Sequence, residues 1–154
     1  MYDCEVDVPR LMAHFRLDPP PAFTPPSILG AAARVVAGTG VPFNSVGLNL
    51  YRDGRDSVAW HADRIAKEIE DPIVALIALG EPRKFLLRPK GGGRSRVFLL
   101  GRGDLLVTGG RTQRTWDHSI PKVRAAGPRI SLAYRHGMDP GAYAEKRIEG
   151  PSSG

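Results

Sequence analysis

After residue 40 the chain offers no second helical stripe. Short alternating or apolar runs recur instead, each closed by glycine, proline or an Asp-Gly pair. With Gly 18 and Pro 14 in 154 residues, this punctuation favours many short strands over long helices. Residues 44–52 alternate, Val46, Leu48 and Leu50 facing one way and Gly47, Asn49 and Tyr51 the other. Asp53-Gly54-Arg55-Asp56 reads as a turn. Further strands are expected at 58–63, 73–79, 84–88, 95–100, 104–107, 115–120 and 129–134. The apolar run 73–79 suits a strand buried on both faces. One helix is expected over 27–38. Ser27 would be its N-cap, Ile28, Leu29, Ala32, Val35 and Val36 its buried stripe, and Gly38 and Gly40 its stop. The sum is a mainly β fold, a two-sheet jelly roll with one supporting helix.

Three stretches organise the chain. Residues 1–26 lack a clear period, end in PPPAFTPP and are expected to be irregular or hairpin-like. Residues 27–137 form the jelly-roll domain with its leading helix. Residues 138–154 are a polar tail whose Gly150-Pro151-Ser152-Ser153-Gly154 ending resembles an expression scar. The start is abrupt for such a domain, so a longer natural N-terminus is expected. A hydrophobic fraction of 42% with 25% charged residues fits a soluble globular monomer. No apolar run reaches the roughly 18 residues of a membrane span, and MYDCEVDVPR is too polar for the usual signal peptide. Cys4 is the lone cysteine, which predicts a cytoplasmic or other reducing intracellular compartment. The net charge of +6 and pI of about 9.9 point to an anionic partner, nucleic acid first, although solvated surface charge explains them equally.

The chemistry concentrates in Trp60-His61-Ala62-Asp63. On a strand, His61 and Asp63 share a face. His118, in Trp116-Asp117-His118-Ser119, would complete a 2-His-1-carboxylate set, which leaves open positions on a metal for a cosubstrate and O2. The bland alternatives are a surface His-X-Asp pair and a satisfied core histidine. Zinc is the other metal such a set accepts. Arg129 and Arg135 share a face of a later strand that carries no acid, and buried guanidiniums need an anion. Two aligned forks suit a dicarboxylate. A hydrolytic zinc centre has no use for them, so the pair favours Fe(II) and 2-oxoglutarate; the bland reading makes both arginines edge residues. Asn49 and Tyr51 can add hydrogen bonds. His14 and His136 have weaker claims, His136 as a residue facing solvent or substrate.

With these residues in place the chain resembles the AlkB family of Fe(II)/2-oxoglutarate oxygenases. The likeness runs over about residues 43 to 136. It is carried by Leu48-Asn49-Leu50-Tyr51-Arg52-Asp53-Gly54, Trp60-His61-Ala62-Asp63, Leu79-Gly80, Arg83-Lys84-Phe85, Gly103-Asp104-Leu105-Leu106-Val107, Trp116-Asp117-His118-Ser119-Ile120-Pro121 and Pro128-Arg129 to Tyr134-Arg135. The resemblance implies a double-stranded β-helix. It implies iron on His61, Asp63 and His118, with 2-oxoglutarate held by Asn49, Tyr51, Arg129, Arg135 and Ser131, and O2 as the other cosubstrate. It implies oxidative demethylation of alkylated nucleobases in DNA or RNA, such as 1-methyladenine and 3-methylcytosine, releasing succinate, CO2 and formaldehyde. It puts Arg83 in the base pocket, Trp60, Arg10 and Phe15 near the substrate, and residues 1–26 in a substrate-recognition lid. Arg52, Arg55, Arg94, Arg96, Arg111 and Arg114 are candidate phosphate contacts. Three departures stand out: Ser131 replaces the Asn of many members, Arg64-Ile65-Ala66-Lys67-Glu68 replaces early acids that help read the base, and the lid is short. Two rival readings are a same-family oxygenase acting on a protein, lipid or metabolite, and a basic nucleic-acid-binding jelly roll without catalysis.

Overall fold

A computed structural model describes residues 10–63, 65 and 69–137. Nine strands and two helices run in the order β1 (Leu11–Arg16), α1 (Pro26–Thr39), β2 (Ser45–Tyr51), β3 (Val58–His61), β4 (Val74–Gly80), β5 (Arg83–Pro89), β6 (Arg96–Leu100), β7 (Asp104–Thr108), α2 (Thr112–Thr115), β8 (Trp116–Ile120) and β9 (Arg129–Arg135). A five-stranded sheet, β1-β2-β9-β4-β7, and a four-stranded sheet, β3-β8-β5-β6, form the two walls of a jelly roll, with all pairings antiparallel.

The expected strands are present with shifted ends, and three elements differ from expectation: β1, the start of α1, and the short helix α2, which a single-helix reading lacks. The stretch read as irregular contains β1, which pairs along β2 from Leu11↔Leu50 to Arg16↔Ser45. Its period escapes notice because Met12 and His14, on the face away from the core, are not uniformly polar. The helix starts before Ser27. Pro25 is the N-cap and Pro26 sits in the first turn, where a missing N–H is no loss, so Ser27 makes no cap. Gly38 lies within the helix; Gly40 ends it at φ 71°, its N–H donating to Val36 O. Residues 1–9 and 138–154, including the tail and the first nine residues of the expected lid segment, lie outside the described residues.

Helix α1 covers the outer face of the larger sheet. Ile28, Ala32 and Val35 pack against Val46, Ala75, Leu132 and Tyr134. Burying the Ile and Val side chains contributes about 4 kcal/mol. Tyr134 Oη donates to Ile28 O at 3.1 Å and fixes the helix on the sheet. A second cluster, Tyr51, Val58, Ala78, Phe85, Leu100 and Ile120, fills one end of the space between the sheets. The other end stays hollow. Among the described residues no helix is long and apolar enough to cross a membrane.

Close backbone approach requires glycine at Gly80 and Gly54, as it does at Gly101. Gly80 ends β4 at φ 88°, and a Cβ there would lie 2.5 Å from Pro128 O. Gly54 lets the β2–β3 turn meet the backbone of Val123, whose N–H donates to Gly54 O at 2.8 Å.

Candidate metal and dicarboxylate site

The hollow end is a cavity of about 420 Å³ between the sheets. Strand pairing places its functional side chains. His61 on β3 lies directly opposite His118 on β8, and their ring centroids are 4.2 Å apart. A register shift between Val58 and His61 lets both residues face the cavity although they are three apart. Asp63 reaches the site differently from expectation. Strand β3 ends at His61, so Asp63 arrives from the loop beyond it rather than through strand period.

The three donors converge. One ligand atom from each of His61, Asp63 and His118 lies within 4.8 Å of the others. Asp63 Oδ1 is 3.8 Å from His61 Nε2 and 3.6 Å from His118 Nε2. Its other oxygen, Oδ2, accepts from Arg135 Nε and Nη2 at 3.2 and 3.1 Å. Arg135 therefore aims Oδ1 at the imidazoles. His61 Nδ1 sits 2.7 Å from Ala59 O, which keeps the proton on Nδ1 and the lone pair on Nε2, facing Asp63. His118 stacks on Phe85 with centroids 5.2 Å apart.

Electrostatics prepares the same set for a cation. Burial pushes His118 down to about 4, outweighing the pull of Asp63, so its imidazole is neutral at physiological pH, the form that binds a metal. Burial alone would raise Asp63, but Arg135 and the two imidazoles overcome it and hold the carboxyl below its ordinary value. Two imidazole nitrogens and one carboxylate oxygen are the donor set that suits Fe(II) with open positions, so the residues fit that ion.

The neighbouring slot has the inward face of the paired strands β2 and β9 as its wall. Tyr51 pairs with Arg129 and Asn49 with Ser131, all on the inward face. Asn49 Nδ2 is 3.5 Å from Ser131 Oγ, and Asn49 Oδ1 accepts from Arg10 Nε at 2.8 Å. Arg129 is 1% exposed. Its Cζ stands 5.1 Å from the Tyr51 ring centroid, yet Nε, Nη1 and Nη2 have no hydrogen-bond partner among the described residues. Burial pushes the guanidinium pKa down, and the neighbouring Tyr51 phenol counteracts only part of that. Arg129 does not itself line the cavity but adjoins Tyr51, which does; a buried guanidinium without hydrogen-bond partners among the described residues is suited to a carboxylate. The expected metal and slot residues are thus brought together, Arg135 linking the two halves.

The expected substrate residues fare differently. Arg83 does not line the cavity. It is 2% exposed and donates to the carbonyls of Asp53, Asp56 and Pro121. Trp60 neighbours His61 but lies outside the cavity lining, under Arg88, whose Cζ is 4.0 Å from a ring centroid. Phe15 packs on the helix-side core and lies 6.0 Å from Phe23, because odd-numbered members of β1 face away from the cavity. Arg10 does line it, and so do Met12 and His14. These two went unread because β1 itself did; their i, i+2 spacing from Arg10 was the available signal. Gln113 of α2 is also at the wall and donates to Thr108 Oγ1 at 2.8 Å. His136 is partly exposed and does not line the cavity: its Nε2 accepts from Ile73 N at 2.9 Å and its ring meets Phe43.

The candidate phosphate contacts divide. Arg52 grips Asp56, Arg55 grips Asp53, and Arg114 donates to Ile65 O and Ile69 O. Arg96 lies over Trp116, while Arg94 and Arg111 are exposed. In the segment after Asp63, residues 64 and 66–68 lie outside the described residues.

A family model described as the 2OG-Fe(II) oxygenase superfamily matches residues 14–140. The chain is 34% identical over 139 residues to the Bos taurus "Alpha-ketoglutarate-dependent dioxygenase alkB homolog 3", covering 84% of this chain and 48% of that protein. It is 36% identical over 132 residues to the Arabidopsis thaliana "DNA oxidative demethylase ALKBH2", covering 70% and 41%. The chain spans about half the length of the curated relatives it matches. A solved structure titled "The structure of OsALKBH1" shares the fold at a TM-score of 0.54 and 16% identity, over 71% of this chain and 59% of that one.

Proposed function

We propose that this chain, which belongs to the 2OG-Fe(II) oxygenase superfamily and within it to the AlkB family, uses Fe(II) and 2-oxoglutarate to demethylate alkylated bases in nucleic acid. The observation that carries the reading is one cavity lined by the His61, Asp63 and His118 donors and by Asn49, Tyr51 and Arg135, with the Arg129 guanidinium, without a hydrogen-bond partner among the described residues, beside Tyr51. Fe(II) held there supplies the activation of O2, with 2-oxoglutarate giving up two electrons as it becomes succinate and CO2.

This chain's own residues hold and orient. Arg129 takes the far carboxylate of 2-oxoglutarate, with Tyr51 and Asn49 as hydrogen-bonding neighbours. Arg135 keeps Asp63 ionised and turned toward the metal position. The apolar wall of Leu76, Phe85, Leu87 and Leu106 keeps the space dry. An N-methyl group delivered to this space gains one oxygen atom, and the resulting N-hydroxymethyl group leaves as formaldehyde with restoration of the base N. The open rim is lined from edge strand β1 by Arg10, Met12 and His14, where a flipped base would enter. The net charge of +6 and the name of the Arabidopsis relative, a DNA oxidative demethylase, support a nucleic-acid substrate; 1-methyladenine and 3-methylcytosine are the lesions that the sequence resemblance implies.

The test is a mass measurement. The protein, Fe(II) and 2-oxoglutarate are incubated with short DNA and RNA oligonucleotides carrying one lesion each. Loss of one methyl per lesion, matched by succinate, supports the reading. Succinate release without any demethylated strand moves the substrate outside nucleic acid. Neither product refutes the oxygenase assignment.

A further inference from the structure

Arg83 is a deeply buried charge, 2% exposed, that the proposed site does not use. It opens β5, and its guanidinium reaches three carbonyls: Asp53 O at 3.2 Å, Asp56 O at 2.9 Å and Pro121 O at 2.8 Å. The first two belong to the turn between β2 and β3, the third to the exit of β8. One side chain thereby ties the strand that carries Tyr51 to the strands that carry His61 and His118. Its Cζ also stands 5.7 Å from the Tyr51 ring centroid, beside the 5.1 Å of Arg129.

Its hydrogen-bond acceptors are all neutral. The nearby carboxylates are engaged elsewhere, Asp56 by Arg52 and Asp53 by Arg55. The charge of Arg83 is therefore solvated by dipoles rather than cancelled by a contact ion pair. Packing alone would be served as well by an apolar residue, since a buried guanidinium carries a large desolvation penalty. Two guanidiniums against one phenol ring also repel each other in a medium that screens poorly. An anion at the end of the slot relieves both.

We propose that Arg83 is a positioning residue for the dicarboxylate: it holds Tyr51 in place and adds a second fixed positive charge behind Arg129, so that the slot selects a cosubstrate with a far carboxylate. This rests on the reading of the slot as a 2-oxoglutarate site. Arg83 acts on the distal carboxylate and not on the 2-oxo acid group at the metal end. It is sealed in the wall and does not touch the base.

The two ends of the ligand can be tested separately. 2-Oxobutyrate shares the 2-oxo acid head of 2-oxoglutarate and lacks the far carboxylate. Both acids are titrated calorimetrically into the Mn(II)-loaded wild-type protein and the variants Arg83→Met and Arg83→Lys. The proposal expects Arg83→Met to weaken 2-oxoglutarate on the order of tenfold, with 2-oxobutyrate unchanged within about twofold. Arg83→Lys, which keeps the charge and loses the fork, should recover part of the loss. Should Arg83→Met fail to fold, Arg83→Gln, which keeps two N–H donors for the carbonyls, carries the same expectation. Equal weakening of both acids would make Arg83 a structural pin only and overturn the proposal, as would no weakening of either. A wild-type protein that binds 2-oxoglutarate no better than 2-oxobutyrate removes the dicarboxylate reading itself, and the proposal with it.

Discussion

Replacing Arg129 with methionine should separate stability from function, with opposite signs. In the ligand-free protein this guanidinium is 1% exposed, and none of its three nitrogens has a hydrogen-bond partner among the described residues. An unsatisfied buried polar group costs about 1–3 kcal/mol, and more when charged. Contact with the Tyr51 ring at 5.1 Å returns about 1–2 kcal/mol. Arg129→Met fills similar space, removes the penalty and forfeits that contact. The ligand-free variant should be more stable by about 1–2 kcal/mol, which raises Tm by about 5 °C in a domain of this size. The wild-type protein should gain about 2.7 kcal/mol from 2-oxoglutarate at a hundredfold excess over its Kd, with Mn(II) present. The variant should gain nothing from the same addition. Scanning calorimetry on both proteins, with and without 2-oxoglutarate, reads all four values. A variant that melts lower without ligand, yet is stabilised by 2-oxoglutarate as much as the wild type, would refute the argument that this arginine is held unpaired for a carboxylate.

Other perturbations test neighbouring links. His61→Ala and Asp63→Ala should leave the circular dichroism spectrum unchanged and abolish 2-oxoglutarate-dependent succinate release; a variant turning over at the normal rate would move the metal elsewhere. A Cβ on Gly47 would stand 3.0 Å from Arg135 Nη1 and 3.1 Å from His14 Cε1. Gly47→Ala should therefore push the guanidinium off Asp63 and weaken Mn(II) binding several-fold while changing stability by no more than about 1 kcal/mol; unaltered metal affinity would show that Arg135 does not aim the carboxylate. Burial lowers the pKa of His136 below its ordinary 6.5, and its Nε2 accepts a backbone hydrogen bond in the neutral form. The folded state thus resists protonation more than the unfolded state. The stability from this residue is complete above about pH 6.5 and is lost as pH falls through the lowered value. In the metal-free protein, His136→Gln should flatten the loss of stability between pH 7 and 5; an identical slope would show that His136 titrates normally.

The strand series was legible because turn residues mark its limits and because alternation assigned faces. Asn49 and Tyr51 point into the slot as their period requires, and Arg129 and Ser131 meet them across the ladder. His61 and His118 were readable as a set, although Asp63 joins them from a loop rather than along the strand. At other positions a family match does not give the orientation of the side chain. Phe15 occupies the core face of β1, and Trp60 neighbours His61 but supports Arg88 outside the cavity. Arg83 shows the limit most clearly. A charged residue after a turn reads as surface or pocket, and only tertiary closure brings the three carbonyls that bury it. Helix α2 has four residues, too few for any periodic signal. The two prolines that open α1 outweighed the capping preference of Ser27.

Reciprocal binding tests the core of the account most directly. Titrating Mn(II), followed by the loss of its free-ion paramagnetic resonance signal, measures metal affinity with and without 2-oxoglutarate. Two ligands that share one centre must tighten each other by the same factor. The account predicts one Mn(II) per chain, tightened by 2-oxoglutarate, with the tightening lost in Arg129→Met and the binding itself lost in Asp63→Ala. Metal affinity indifferent to 2-oxoglutarate, or surviving the removal of Asp63, would contradict it.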